Sequence, residues 1–472
     1  MKRWKLHLGL LLLLLLGILI NAADEIKPEP VTADARQNLT MAYNTFKYGV
    51  ISDELVDAPD IGPTYRREPL YPIALAGVLQ TFTLPDSLRL HCLLDAKPAC
   101  HGALIQLQWF NLALLLAAVL ATFLAAQIII GNPAGSYLAS ALVGFSPSLV
   151  KAVNNFYSDL SAALVLLIFS TFLYLTLTQR KGWTFAIGAG LAFGALMLIK
   201  AVFFYLGVVL GVGFAIAAKW RRSWQPVKVA IVVLLSAYAI AGIWMTRNYI
   251  HFGEPAISGR SGEILAIRAE FSKMTWREYS ASFLVNTPDY GKPLLKRFFK
   301  PEDYQRFDRD NPDGFYRRTK NRIADLLERD GDYSKLEEHL EAESTAVIKR
   351  NWLKHLALTA SFAYQGAFIK LFPENSLVPT RLLYMASLLI GLYLALRWRD
   401  AAMLIFLLPS FYSYGIHAVA THYIPRYNEP LIPCLAIALA FLLVRTGYRF
   451  KEYISHVKRT LASRQKMRSP TR

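Results

Sequence analysis

Charge is scarce in this chain, and so is cysteine. Of its 472 residues only 18% are Asp, Glu, Lys or Arg, where a soluble globular chain carries about a quarter. Three cysteines are too few for a disulfide scaffold or a zinc cluster. There is no phosphate-binding glycine loop, no repeat of solenoid period and no low-complexity stretch beyond an opening Leu run. Acidic residues are the scarcer sign, 34 against 52 Lys and Arg, for a net charge of +18. Apolar residues are abundant instead, at 54% with a mean hydropathy of +0.30. That excess excludes a disordered or nucleic-acid-binding tail protein. Only repeated lipid-buried helices use so much apolar residue with so little surface charge, so the fold class is an all-α polytopic membrane protein.

About ten stretches are long and apolar enough to cross ~30 Å of hydrocarbon. They fall near 7–22, 104–130, 134–150, 158–178, 184–200, 202–218, 229–246, 381–397, 401–418 and 430–445. The first, after MKRWK, reads as a retained anchor or as a secretory signal ending in Ala22 and Ala23. Lys and Arg of short loops stay in the cytoplasm. Ten spans starting inside put Lys2, Arg3, Lys5, Arg180, Lys181, Lys219, Arg221, Arg222, Lys228, Arg397, Arg399, Arg445 and the basic tail on one side, with both termini cytoplasmic. These segments hold 20 Lys and Arg against Asp400 and Glu452, which accounts for the whole net charge of +18. The excess is therefore a topology signal, and no nucleic-acid partner is implied.

The reading divides the chain into an N-terminal membrane module (1–250) with a first outer loop (23–103), a large outer loop (251–376), a C-terminal membrane module (377–445) and a basic tail (446–472). The large loop should be mostly helical, because NRIADLLER and SKLEEHLEAESTAVIKRNWLKHL carry apolar residues at three- and four-residue spacing. Trp352 to Phe372 reads as an amphipathic helix on the membrane, and Pro69 to Phe82 as a juxtamembrane segment. Charge at a membrane boundary is costly and marks a candidate site. Asp159, Lys200, Arg247 and Arg426 all fall at the outer boundary, where the positive-inside tendency gives cations no reason to be. A bound phosphate would give one. The plain alternative is snorkelling or a local pair such as Arg426 with Glu429. In the first outer loop Asp34 opens DARQNLTMAYNTFKYG, where it could simply cap a helix. Downstream, Arg66 and Arg67 precede the proline-punctuated EPLYP.

These residues carry a family resemblance. Asp34 followed by Ala42 and Gly49, then Arg67-Glu68-Pro69-Leu70-Tyr71-Pro72, is similar to the first outer loop of the GT-C glycosyltransferases, in the branch of the protein O-mannosyltransferases and lipid A aminoarabinose transferases. In order along the chain, Pro147 with Ser158-Asp159, the span ending in Lys200, Trp244-Met245-Thr246-Arg247-Asn248-Tyr249 with Phe252-Gly253, and Arg426-Tyr427 with Pro430 and Pro433 resemble further family motifs. The resemblance implies a GT-C-type bundle with outer-face juxtamembrane helices. It implies a sugar taken from a polyprenyl-phosphate donor and transferred, with inversion, to an acceptor at the outer face of the inner membrane. It assigns Asp34 as catalytic, Arg66, Arg67, Lys200, Arg247 and Arg426 to donor phosphate, and Glu68, Asp159 and Tyr427 as supporting residues. A guanidinium suits phosphate through its forked donors. The chain departs from the family by lacking a second acid beside Asp34 and by having Glu68 where a proline stands. The acceptor and a divalent cation stay open, and no metal ligand set is assigned.

Weaker signals complete the reading. Cys92 and Cys100, in an outer loop, would form a bridge in an oxidising compartment or remain two thiols. Cys434 reads as packing. Asp308 to Gly314 reads as a solvated turn with the wrong spacing for a calcium loop. His417 and His422 flank the ninth span but lack the acidic company of a metal site. Asn38-Leu39-Thr40 fits the glycosylation sequon formally. Two other functions remain open on sequence alone: a transporter or flippase for a lipid-linked or anionic solute, and a glycan ligase or polymerase of the same fold class.

Overall fold

In the computed structural model, residues 2–81, 88–179, 182–287, 291–330, 333–368 and 379–446 are described. Arg180, Lys181, Lys370, Phe372, Phe82 and the basic tail beyond Thr446 lie outside them. Among the described residues the secondary structure is helical throughout, without strands. The membrane-length elements are α1 (Lys2–Ala23), α4 (His101–Ile130), α6 (Asp159–Thr178), α7 (Gly182–Ile199), α8 (Leu206–Arg221), α9 (Gln225–Phe252), α15 (Pro379–Trp398) and α16 (Ala401–Ala420). A last run, Pro425–Thr446, follows α16. Between them lie α2 (Ala33–Tyr48), α3 (Leu70–Thr81), α5 (Pro133–Gly144) and the extramembrane helices α10 (Ser261–Phe271), α11 (Trp276–Val285), α12 (Phe315–Asp330), α13 (Tyr333–Arg350) and α14 (Trp352–Gly366).

Among the described residues eight segments are long and apolar enough to cross a membrane, against about ten read from the sequence. The expected span at 134–150 is broken: α5 stops at Gly144 and a short helix, Pro147–Lys151, takes over. Pro147 supplies no N–H, and a proline forces the residue before it into extended backbone. Ser146 accordingly sits at φ −65°, ψ 116°. The expected span at 381–397 lies in α15, of which Met385–Trp398 is a shorter apolar stretch.

The centre of the bundle is α6. Its apolar window is 72% buried, against 17% for α1 at the periphery. Apolar burial does not by itself bring helices together in lipid, so close backbone approach matters. Gly190 and Gly194, one turn apart on α7, supply it: a Cβ on either would meet α9 backbone carbonyls at 2.8 Å (Val233) and 3.0 Å (Ala237). Phe169 of α6 stacks on Phe193 of α7 at 4.9 Å. The basic ends gather at one end of the bundle. Arg221 donates to the Leu177 carbonyl at 2.7 Å, and Arg445 lies 4.2 Å over Trp398. Asp159 and the Lys200 turn occupy the opposite end of α6 and α7.

The large loop is helical, as its periodicity predicts, and it docks through a buried cation. Arg268 of α10 is fully buried and donates to the carbonyls of Ala418 and Thr421, each at 3.1 Å, at the C-terminal end of α16. It also donates to the His355 carbonyl at 3.0 Å and lies over Phe362, both on α14. A helix C-terminus leaves carbonyls unsatisfied and carries partial negative charge, which is what a guanidinium complements. Burial pushes the Arg268 pKa down to about 9. Helix α14 buries Leu358 and Phe362 and exposes Trp352, Leu353 and Leu356, the two-faced pattern of an interfacial helix.

Arg268→Met should therefore cost about 2–4 kcal/mol through lost charge-assisted hydrogen bonds. The expected readouts are a lowered thermal midpoint in detergent and faster proteolysis within 291–350. An unchanged midpoint would remove Arg268 as the anchor of the loop.

Candidate active site

Asp34 lies in the first turn of α2, but it does not cap that helix. The N-cap is Thr32, without a side-chain cap bond. Ala33 just before it is held at φ 51°, a left-handed conformation an alanine adopts only at a cost. The Asp34 carboxylate turns instead toward three guanidinium groups. Arg67 donates to Oδ1, Arg426 donates to Oδ2 at 2.6 Å, and Arg260 Nη1 stands 3.7 Å from Oδ1. Arg67 is also held by Gln37, whose Oε1 accepts from Nε at 2.6 Å. Asp34 thus joins four distant segments of chain: the first loop twice, the large loop and the start of the last membrane segment.

The cluster continues into the bundle. Asp159 begins α6, where a carboxylate favours the helix N-terminus. It pairs with Lys200 Nζ at 2.8 Å and with Arg426 Nε at 3.4 Å. Arg426 therefore bridges Asp34 and Asp159 and does not form the local pair with Glu429 that sequence allowed. Its guanidinium lies 3.9 Å over the ring of Tyr157. Glu68 accepts the Ala201 N–H at 3.0 Å, fastening the first loop to the turn after α7. Tyr427 stacks on His417 at 4.4 Å.

The large loop supplies the other wall. The N-terminal amides of α10 at Gly262 and Glu263 donate to the Glu337 carboxylate of α13 at 2.8 and 3.2 Å, which fixes Arg260 at the mouth of that helix. Behind it, buried Glu263 meets Arg260 at 3.3 Å, Lys320 at 2.5 Å and Arg66 at 3.8 Å. Arg66 also faces Asp53 at 3.7 Å and lies over Tyr333. It belongs to this outer layer and does not touch Asp34. Arg247 is turned away too. It donates to the Thr64 carbonyl at 2.8 Å and lies over Trp244, bracing the first loop from α9.

Among the residues singled out from sequence, Asp34, Arg67, Asp159, Lys200 and Arg426 come together, while Glu68 and Tyr427 adjoin them. Arg260, Glu263, Lys320, Gln37 and Tyr157 are the residues sequence reasoning missed. Arg260 had only one local signal, an Arg with Glu three residues later at a helix start. Cys92 and Cys100 are joined, with Cα atoms 5.9 Å apart. Asn38 is buried and its amide donates to the Phe156 carbonyl at 2.9 Å, so the formal sequon is not open to glycosylation. In 308–314, Asp308 and Asn311 accept the amides two residues on, at 3.0 and 3.1 Å, the local bonding of a solvated turn. Among the described residues no group of three or more His, Cys, Asp or Glu gathers as a metal site would require.

Burial alone would raise the Asp34 pKa, but Arg67, Arg260 and Arg426 outweigh it and hold the carboxyl far below the usual range. Glu263 behaves alike: burial raises it, Arg260 and Lys320 lower it, and it settles at about 2. Groups depressed in the folded state add stability above their unfolded pKa and lose it as pH falls. Stability should therefore hold down to about pH 5 and fall between about pH 4.5 and 2. Glu263→Gln should be less stable at neutral pH and show a shallower acid decline in thermal midpoint. A parallel decline in both proteins would contradict the assignment.

No protein-family model matches the sequence, and no curated protein matches it. Solved structures do. The Archaeoglobus fulgidus oligosaccharyltransferase AglB, in complex with an inhibitory peptide and a dolichol-phosphate, aligns at TM-score 0.52 and 12% identity over 96% of this chain and 52% of that one. An Archaeoglobus fulgidus oligosaccharyltransferase in the apo form aligns at TM-score 0.50 and 11% identity over 95% of this chain and 52% of that one. ArnT from Cupriavidus metallidurans bound to undecaprenyl phosphate aligns at 0.38 and 12% over 93% and 78%. The chain thus spans about half the length of the oligosaccharyltransferase structures it matches. At such identity the likeness is one of fold alone, an all-helical arrangement with several membrane-length apolar segments.

Proposed function

We propose that this chain is an integral membrane glycosyltransferase that moves a sugar from a polyprenyl-phosphate carrier to a hydroxyl acceptor on a lipid, glycan or protein. The reaction takes place at the membrane face opposite the basic loops. With positive charge kept inside, that is the outer face of the plasma membrane, and both termini are cytoplasmic. The observation that carries the reading is one carboxylate, Asp34, shared by Arg67, Arg426 and Arg260 beside the Asp159–Lys200 pair. Cations exceed anions there, which suits a lipid phosphate. The likeness in fold to an oligosaccharyltransferase solved with dolichol-phosphate agrees with it.

In this mechanism the carrier's chain lies among the spans and its phosphate takes donors from Arg67, Arg426 and Lys200. Bidentate guanidinium bonds to phosphate are strong and directional. Asp34 then loses partners that hold its pKa down, so its basicity rises as the donor binds. The acceptor hydroxyl gives its proton to Asp34 as its oxygen bonds to the anomeric carbon. The carbon–oxygen bond to phosphate breaks, and its electron pair leaves on a phosphate stabilised by the same cations. A single displacement inverts that carbon. The large loop (251–376) delivers Arg260 and is the candidate acceptor-selecting module. Asp34, Asp159 and Glu263 each face guanidinium or ammonium groups, so this donor set does not suit a divalent cation, and no step is assigned to one.

Asp34→Asn should lower turnover at least about 10²-fold. It should bind undecaprenyl phosphate as tightly as the native protein or more tightly, because a competitor for the arginines is weakened. The checks are transfer and lipid-binding assays on purified protein, and mass analysis of envelope lipids and glycans with and without the gene. Full turnover in the Asn variant would sink the reading.

A further inference from the structure

His422 has no role so far, yet its environment is unusual. It lies in the short connection between α16 and the last membrane segment, four residues before Arg426. Its ring is 5.3 Å from Tyr316 of α12 and 6.1 Å from Tyr427. Both ring nitrogens are shielded from solvent without a hydrogen-bond partner. Nearly all buried polar groups are paired, so two such atoms on one side chain call for a ligand or water that satisfies them. Tyr427 also stacks on the ring of His417, and Arg309 lies 4.3 Å over Tyr316. All of Tyr316, His422 and Tyr427 stay partly open.

Building on the glycosyl-transfer reading, we propose that the cluster of Tyr316, His422 and Tyr427 is the donor-sugar subsite and that it takes a neutral, hydroxylated sugar without a free amine. Three facts converge on this. Aromatic rings offer apolar faces to the C–H side of a pyranose, while an unpaired imidazole offers one donor and one acceptor to hydroxyls. Burial and the guanidinium groups of Arg309 and Arg260 keep His422 neutral, its pKa pushed down to about 3 against the pull of Asp34 and Glu263. With the donor bound, Asp34 is taken up by the acceptor hydroxyl, and Glu263 stays paired with Arg260, Lys320 and Arg66, so neither is free for a sugar ammonium. Of the remaining acids, Asp159 is paired with Lys200 and Arg426, and Glu429 lies near the same three charges. An aminosugar would meet Arg309 and Arg260 without a compensating anion.

The test uses the full chain in nanodiscs with undecaprenyl phosphate, an undecaprenyl-phosphate hexose and an undecaprenyl-phosphate aminopentose as probes. The native protein should bind the hexosyl lipid more tightly than the bare carrier, and the aminopentosyl lipid least tightly. His422→Phe keeps a flat ring but removes both polar atoms. It should weaken the hexosyl lipid about tenfold, seen as a raised KM, the scale of one hydrogen bond, and leave the bare carrier unchanged. His422→Gln, which keeps a donor and an acceptor, should recover part of that loss. Equal weakening of all three probes in His422→Phe would mean a structural role and overturn the proposal, as would preference for the aminopentosyl lipid. Native protein that transfers hexose while His422→Phe matches it overturns the subsite alone. Native protein that binds none of the probes overturns the glycosyl-transfer reading as well.

Discussion

The Asp34 carboxylate is the point at which the extramembrane chain is tied together. Arg67, Arg260 and Arg426 converge on it from positions 33, 226 and 392 residues further along the chain, and two further anions, Asp159 and Glu263, hold the backs of Arg426 and Arg260. Charges withdrawn from water lose several kcal/mol of solvation each, so they persist only where each is matched. Matching here is not pairwise. Cations and acids alternate from Lys200 through Asp159, Arg426, Asp34 and Arg260 to Glu263 and Lys320. Removing any member leaves a neighbour uncompensated, which makes the first loop, the large loop and the last membrane segment mutually dependent.

That dependence would fail if the large loop were free to drift, and separate bonds prevent it. Arg268 ends α16 by taking its last carbonyls, and Glu337 begins α10 by accepting its first amides. Both exploit helix termini, whose unsatisfied groups are the one polar feature a helix always offers. The two attachments lie about a turn and a half apart on α10, so they fix its position and its direction together. Arg260, the residue just before α10, is thereby aimed at Asp34 without any flexible reach of its own.

How much of this could be read from the sequence follows from which physical signals are local. Membrane helices were legible because hydrocarbon thickness sets their length residue by residue. The break at Phe145-Ser146-Pro147 was overlooked because mean apolarity does not register a proline's effect on backbone. Asp34, Arg67, Asp159, Lys200 and Arg426 stood out because a charge at a membrane boundary is anomalous against its apolar surroundings. Arg260 and Glu263 belong to a polar loop rich in charge, where nothing marks one arginine from another until the chain is folded. His422 was noticed for its partner His417, but its surroundings are tyrosines and arginines supplied by other segments, so its chemistry was invisible along the chain. Asn38 matched a short motif whose meaning depends wholly on exposure, and it is buried.

An aspartate with three guanidinium neighbours is a poor base, which at first sight argues against a part in proton transfer. The same arrangement is what a phosphate-triggered site requires. Arg67 and Arg426 cannot give their best geometry to Asp34 and to a phosphate at once, and a phosphate offers more acceptor oxygens in the same fork. Under the proposed function, entry of the donor phosphate would loosen the bonds that depress the carboxylate, a shift in the direction of greater basicity. Asp34 itself is poorly placed to follow the departing guanidinium groups, since Ala33 in its left-handed conformation sets the start of α2 and Tyr43 further along that helix is buried and bonded to Asp57 at 2.8 Å. On the proposed reading, a rigid acid and exchangeable cations would give a site whose basicity appears only once the donor is bound, so that water would meet a neutralised carboxylate in the resting state and the acceptor an available one.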